Sequence, residues 1–543
     1  MKQAQAIILA TVIFLSACSS EKEKPELLKD FSMNQHIASY VDSLGVFDVN
    51  LIVKYREILS DLYKKNQYKS FWFTGNQLNP QSEKMLDLLA NSMIYGLDTA
   101  LYNLPAIRNF TLGFSQDTLI TDENKRSMLG YELSLTQSAV LFFTQLNRGI
   151  MPFDPVEYVP ASQLDSLSAY HQIYKHFEEL PQDSLVNLVL HAFATDSVQA
   201  LINSLQPQNI HYKRLQKALE DYVLSNPINH DSIQIIYFEK DTAWTTTFEN
   251  YRKACLALQK LKWSNITPNQ CIFINVPSFA LDFVQENRIA SSHKIIAGTV
   301  KNQTPELNSR LSQIRLFPHW NVPFSIATQE VLPMVKRNIA YLEKHNYEVL
   351  DRSGNVITPD LLPWHSYSRN HFPIRIRQTP GYHNSLGIVM FFFHNNSSVF
   401  FHDTPAKALF SRSFRAFSHG CMRTQNPLAL ARAIMEFDNS ILHLPADTLI
   451  AMGIYETQRQ RKDDYTENRD ESAPQNIFEQ RLQDREKYTY SVKKTIPIYI
   501  RYLTAFSDEN NQLRFSPDFY GKDSLLIIRY NEAVEAIAGK WEE

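Results

Sequence analysis

Cys421 lies in the run Ser418-His419-Gly420-Cys421-Met422-Arg423, a polar, sharply turning stretch. Structural cysteines usually sit among apolar neighbours and are inert. Reactive ones need an electropositive, partly open setting that lowers a thiol pKa of about 8.5. His419, Arg423 and Arg415 supply local positive charge. Asn426-Pro427 then opens a helix carrying Leu428, Ala431, Ile434 and Met435, which places the thiol just outside a positive helix end. Gly420 permits a tight turn that aims backbone amides around His419 and Gly420 at a developing oxyanion. The pattern predicts a thiolate nucleophile.

Such a nucleophile needs a base within hydrogen-bond reach. His402 closes the strand-like run Val399-Phe400-Phe401-His402 and precedes Asp403-Thr404-Pro405, far enough upstream to return beside the cysteine through a loop. Its other ring nitrogen needs an acceptor, and a backbone carbonyl just after it is the natural candidate. Spacing alone leaves two readings open: a Cys–His pair, or a surface histidine unrelated to a free cysteine. A zinc site built from His394, His402, His419 and Cys421 fits no standard ligand spacing. No metal or other cofactor is expected.

The chain around these residues has 543 positions, 44% hydrophobic and 20% charged, enough for several units with real cores. Its formal charge of −3, from 54 basic and 57 acidic side chains, provides no field for nucleic acid. Four cysteines, Cys18, Cys255, Cys271 and Cys421, include no Cys-x-x-Cys pair. That disfavours disulfide-scaffold, zinc-ribbon and thioredoxin readings. Cys255 and Cys271 read as packing residues, with a bond between them left open. Trp263 and Trp320 read as core.

Met1-Lys2, the mostly apolar stretch Ala4 to Ala17 and then Leu15-Ser16-Ala17-Cys18 form a secretory signal, too short to span a bilayer. Leu-Ser-Ala-Cys resembles a bacterial lipobox, which implies cleavage before Cys18 and its lipidation. Ser19 to Lys24 is a polar tether. In a two-membrane bacterium, Ser19 at the following position favours the outer membrane.

Beyond about residue 48 the pattern is helical. Asn79-Pro80 with Met85, Leu86, Leu88, Leu89, Met93 and then Gly96 gives cap, first-turn proline, apolar stripe and terminal glycine. A long helix spans roughly Met128 to Leu146, stopped near Gly149 and Pro152, and a third helical region covers Ser184 to Val223. One more helix fits around Phe248 to Leu261. From Cys271 the texture turns to β: Cys271 to Val276, Phe279 to Val284, Ile388 to Phe393, Val399 to His402, Ile496 to Leu503 and Leu525 to Ile528. A partly helical insertion, Glu330 to Phe372, interrupts it, as does the charged stretch Gln458 to Lys487, a solvated helix or loop. Helices first and a mostly β unit after them predict a multidomain α+β protein.

His402-Asp403-Thr404-Pro405 followed by Ser418 to Arg423 resembles the signature of the L,D-transpeptidase (YkuD-type) catalytic domain, in particular its large YcbB-like branch. Trp320-Asn321-Val322-Pro323, Gln378-Thr379-Pro380-Gly381 and Asn384-Ser385-Leu386-Gly387 are similar to other blocks of that branch. So are Tyr95-Gly96-Leu97-Asp98 and Asn147-Arg148-Gly149 in the helical region, and Ile496 to Tyr499 and Phe515 to Tyr520 near the end. One block is missing: no Asp-Gly-x-x-Gly-x-x-Thr segment of the usual peptidoglycan-binding module occurs between Asn226 and Trp263.

The resemblance implies a division into a signal (1–18), tether (19–47), helical scaffold (48–265), catalytic domain (266–455) with a lid at about 330–372, charged insertion (456–490) and closing strands (491–543). It implies Cys421 as nucleophile, His402 as proton donor and acceptor, and His419 and Gly420 in the oxyanion loop. Arg423, Ser418, Trp364 and Tyr367 are the implied substrate contacts, although Arg423 serves equally as a brace for the loop. The substrates implied are peptidoglycan stem peptides. The location is the periplasm, lipid-anchored through Cys18, facing no nucleic acid; the oligomeric state is open. Three activities fit: cross-linking, D-alanine trimming or exchange at the same site, and a non-catalytic peptidoglycan-binding scaffold.

Overall fold

Asn79 and Pro80 open a helix as their residue types require. The Asn79 carboxamide accepts from the Ser82 N–H at 3.1 Å, and Pro80 occupies a first-turn position where no donor is needed. The helix, Pro80–Ala90, passes into a tight turn that stops at Gly96, φ +71. The computed structural model of the chain describes residues 26–27, 32–42, 53–114, 119–151, 180–226, 228, 242–266, 269–438 and 489–538. Cys18 with its signal, most of the tether, Pro152 and the charged stretch Gln458 to Lys487 lie outside the described residues.

The long helix is Asp122–Arg148, started by a reciprocal cap between Thr121 and Asn124 and ended at Gly149. The third helical region divides into Gln182–Ala194, Val198–Leu205 and Ile210–Ser225, and a last scaffold helix covers Thr242–Trp263. Glu132 is buried inside the long helix. Its carboxylate accepts from the Phe71 and Trp72 N–H groups and from the Ser70 and Tyr63 hydroxyls, so burial leaves no lone pair stranded.

The β unit is built from β1 (Gln270–Asn275), β2 (Ala280–Gln285), β3 (Arg288–Gly298), β4 (Leu307–Leu316), β5 (Val389–Phe393), β6 (Phe401–His402), β7 (Ala416–Ser418), β8 (Met422–Thr424) and β9 (Thr489–Arg501). Their order is β7-β3-β8-β6-β5-β4-β9-β1-β2, and β2 pairs back onto β3, so all but β7 close a ring. Alternation along β1 feeds two cores. Ile272 and Ile274 face the interior of the ring, whereas Cys271 and Phe273 pack against the scaffold helices. A strand buried on both faces reads as a continuous apolar run, which is how this one stands out in the sequence. Cys255 and Cys271 are both free and buried.

Two expectations are corrected. Leu525 to Ile528 is not a strand but part of a helix, Lys522–Ala538. The Asp518 carboxylate accepts from the Lys522, Asp523 and Ser524 N–H groups and so caps that helix. Its Leu526, Ile527, Tyr530 and Val534 pack on the scaffold core at helical spacing, which outweighs local β propensity. The closing segment is therefore a strand, a short hairpin and a helix, not strands throughout. The insertion expected at 330–372 is also larger than those bounds. Trp320–Asn321, Tyr347–Leu350, Val356–Ile357 and Arg375–Gln378 form its own sheet over a separate apolar cluster. Among the described residues, no helix is long and apolar enough to cross a membrane.

Candidate active site

β6 and β8 run parallel, with Phe401 opposite Met422 and His402 opposite Arg423. Phe401 and Met422 are fully buried on the core side. Alternation turns His402 and Arg423 away from that core, where they stand opposite each other. Cys421 lies in the turn one residue before β8 and is partly buried against the core. Arg423 acts electrostatically on both the Cys421 thiol and the His402 ring. Among the described residues no hydrogen bond joins the Cys421 thiol to the His402 ring.

The His402 ring is held as expected by a backbone carbonyl. Its Nδ1–H donates to the Asp403 carbonyl, which leaves the Nε2 lone pair to act as base. Burial first, then the Arg423 and Lys407 cations, push its pKa down to about 3, while the Leu386 carbonyl works the other way. The ring is neutral. Asp403 is fixed in turn: its carboxylate pairs with Lys407 and accepts the Ile388 N–H at 3.1 Å, and its own N–H donates to the Val389 carbonyl at 2.8 Å. Gly387 makes room for it. A Cβ there would lie 2.3 Å from Asp403 Oδ2, on a backbone already at φ +59.

The thiol departs from expectation. Burial raises the Cys421 pKa, against a backbone hydrogen bond from Phe400 and the charge of Arg423. Of the three cations invoked, only Arg423 acts on the sulfur. Arg415 directs its guanidinium to the Ile295, Phe279 and Arg412 carbonyls at 2.7–3.2 Å, and His419 pairs with Glu330. The helix Pro427–Phe437 is separated from Cys421 by β8 and by Asn426, which has φ +49. The resting site thus holds a protonated thiol beside a neutral base, not a preformed thiolate.

The loop itself is over-determined. Gly420, at φ +113, donates its N–H to Ser418 Oγ at 3.2 Å, and that hydroxyl donates to the Cys421 carbonyl at 2.5 Å. Thr304 and Tyr520 brace it from behind. The Thr304 hydroxyl donates to the Gly420 carbonyl at 2.8 Å, and the Tyr520 hydroxyl donates to the Gly298 carbonyl at 2.6 Å while accepting from the Thr304 N–H. Ser418, expected to touch substrate, is instead buried and holds the turn.

Two stretches of the chain match known families: residues 57–219 a scaffold domain, and residues 269–442 the L,D-transpeptidase catalytic domain, YkuD. The second match contains both Cys421 and His402. The chain carries a YkuD-type L,D-transpeptidase domain. It is also 27% identical over 334 residues to a Haemophilus influenzae protein whose name assigns it provisionally to the L,D-transpeptidases; the shared region is 60% of each chain.

In the insertion of this transpeptidase domain, Trp364 and Tyr367 are placed as core residues. Both are buried in the lid's own cluster, ring against ring at 5.7 Å, with the Trp364 indole N–H donated to the Pro359 carbonyl at 2.8 Å. An indole with its donor satisfied inside a core is a packing residue. Arg423 is partly buried and has no ion-pair partner among the described residues. Among them, too, no group of three or more His, Cys, Asp or Glu side chains could hold a metal ion, so the four-ligand zinc arrangement is not assembled. Thr304, Tyr520 and Glu330 were not legible as site residues, since each reaches the loop across a long stretch of chain. Gly387 and Asp403 lay inside recognisable blocks, yet their steric dependence is visible only in three dimensions.

Proposed function

We propose that the protein is an L,D-transpeptidase of the YcbB-like branch that cross-links peptidoglycan, anchored by a lipid at Cys18 in the periplasm on the outer membrane. The observation that carries this reading is the parallel pairing of β6 and β8, which sets His402 opposite Arg423 and two residues along from Cys421, with the Arg423 cation acting on both. Cys421 attacks the carbonyl of the third residue, a diamino acid, of a tetrapeptide stem. As the sulfur–carbon bond forms, the thiol proton passes to His402 Nε2, and the neutral ring makes that transfer possible in the attacking step. The proton then goes to the amine of the terminal D-alanine, which leaves. The enzyme retains a thioester, which the amine of a second stem opens.

Arg423 suits a stem carboxylate, because a desolvated guanidinium without a protein anion favours a ligand anion. The His419 and Cys421 amides are the remaining oxyanion donors, each worth about 3–4 kcal/mol in such sites. Gly420's N–H reaches the oxyanion only by leaving Ser418.

The test is intact-mass analysis of full-length protein with a tetrapeptide stem and with a carbapenem. A thioester that is absent in Cys421→Ala and strongly slowed in His402→Gln is expected. Dimeric muropeptide product separates cross-linking from trimming. A Cys421→Ala protein that still joins stems would overturn the mechanism.

A further inference from the structure

Glu330 sits on the lid in a stretch of π-helix, Ala327–Val331, set between the helical turns Phe324–Ile326 and Leu332–Arg337. Such wide turns are rare and concentrate at functional sites. This one brings the carboxylate against the catalytic loop. His419 Nε2–H donates to Glu330 Oε1 at 2.8 Å, and the two side chains remain 47% and 54% exposed. His419 is the sole ion-pair partner of Glu330 among the described residues. Arg423, partly buried, lies two residues beyond Cys421, and His419 with its solvent-open carboxylate partner lies two residues before it. The nucleophile loop thus carries a half-buried cation on one flank and an open carboxylate on the other.

The two substrates of the proposed acyl transfer differ in just this way. The donor stem brings a carboxylate. The acceptor brings a primary amine with a pKa of about 10.4 if lysine-like, hence an ammonium at neutral pH. It must be drawn in as a cation, yet it must lose a proton before it attacks.

We propose that Glu330 and His419 form the acceptor subsite, in which Glu330 binds the incoming ammonium and His419 takes its proton. The proposal rests on the transpeptidase reading above. With Nε2–H given to Glu330, a neutral His419 ring keeps its lone pair on Nδ1. The ammonium releases one proton to Nδ1, and the freed nitrogen lone pair attacks the thioester carbonyl carbon. The carbon–nitrogen bond forms, the carbon–sulfur bond breaks, and the second amine proton passes through His402 to the departing Cys421 thiolate. The thiol is restored, and the proton on His419, stabilised by Glu330, is lost to solvent. Water as acceptor carries no positive charge, so hydrolysis depends less on the carboxylate.

The experiment loads full-length protein with a tetrapeptide donor, measures the thioester by intact mass, and chases it with a tripeptide stem bearing a free side-chain amine. In Glu330→Gln the ratio of transfer to hydrolysis is expected to fall about tenfold, the worth of one charge-assisted hydrogen bond, chiefly through a raised acceptor KM. Glu330→Asp recovers part of the loss. His419→Gln lowers the maximal transfer rate and shifts its pH profile. An unchanged ratio in Glu330→Gln overturns the proposal. Equal falls in acylation and transfer also overturn it, since a contact that merely closes the lid would act on both. Failure of the wild-type protein to form any thioester overturns the transpeptidase reading instead.

Discussion

The Thr304 hydroxyl donates to the Gly420 carbonyl at 2.8 Å and accepts the Gly298 N–H at 2.9 Å, tying the end of β3 to the turn that carries Cys421. Thr304 is fully buried. Thr304→Val keeps the shape but leaves two buried backbone groups unpaired, at about 1–3 kcal/mol each. Urea denaturation should show that loss, acylation of Cys421 should slow with it, and Thr304→Ser should restore both.

Gly387→Ala tests the clamp on His402, the proposed base. The new Cβ meets Asp403, whose carbonyl fixes His402, and the left-handed backbone adds strain. A shift of about 1 Å in a catalytic group costs on the order of 100-fold in rate. Single-turnover acylation is expected to fall by that order, more than can be traced to unfolded protein by circular dichroism at the same temperature.

A thiol raised by burial and opposed by Arg423 makes a prediction about pH. Alkylation of Cys421 by iodoacetamide should climb with pH to an inflection above the ordinary thiol value. Arg423→Met removes a cation that lowers this pKa, so the inflection should move higher still and alkylation at pH near 8 should slow. A downward shift would contradict the assigned sign.

His402 and His211 are both depressed from 6.5 to about 3, chiefly by burial and secondarily by nearby arginines. Each binds its proton more readily when unfolded. Their contribution to stability is therefore complete above pH 6.5 and is lost as pH falls toward 3. His211 stacks at 3.9 Å on Phe273, a ring of the scaffold-side core. His211→Asn should flatten part of the acid limb of a stability–pH curve measured by denaturant.

Lys260 and Asp523 form a buried ion pair at 2.5 Å that joins the scaffold to the final helix. Lys260 also donates to the Tyr502 carbonyl at 2.8 Å. Asp523→Ala leaves a buried ammonium uncompensated and should cost about 3–5 kcal/mol by chemical denaturation. Replacing both partners with Met and Leu should cost clearly less than the single change.

Several of these features were readable from residue order. Asn79-Pro80 specified its helix because cap and proline act locally, and Cys271 to Val276 specified a strand because both of its faces are apolar. The run Leu525 to Ile528 misled for the converse reason: a β-branched stretch carries no record that Asp518 caps it or that Tyr530 anchors it to the scaffold. Ser418 sits beside Cys421 in sequence and Trp364 and Tyr367 lie in the aromatic insertion, and only their burial reveals them as packing or bracing groups.

The sequence by itself determined the α+β order and singled out Cys421 and His402 as the proposed nucleophile and base, because a reactive thiol needs a particular residue type in a particular turn. The tertiary structure decided the charge state of that thiol. Burial, the diversion of Arg415 to backbone carbonyls and the pairing of His419 with Glu330 are long-range facts. Together they turn a motif that reads as a thiolate into a neutral thiol–imidazole pair, because desolvation at the sulfur outweighs the one cation left beside it.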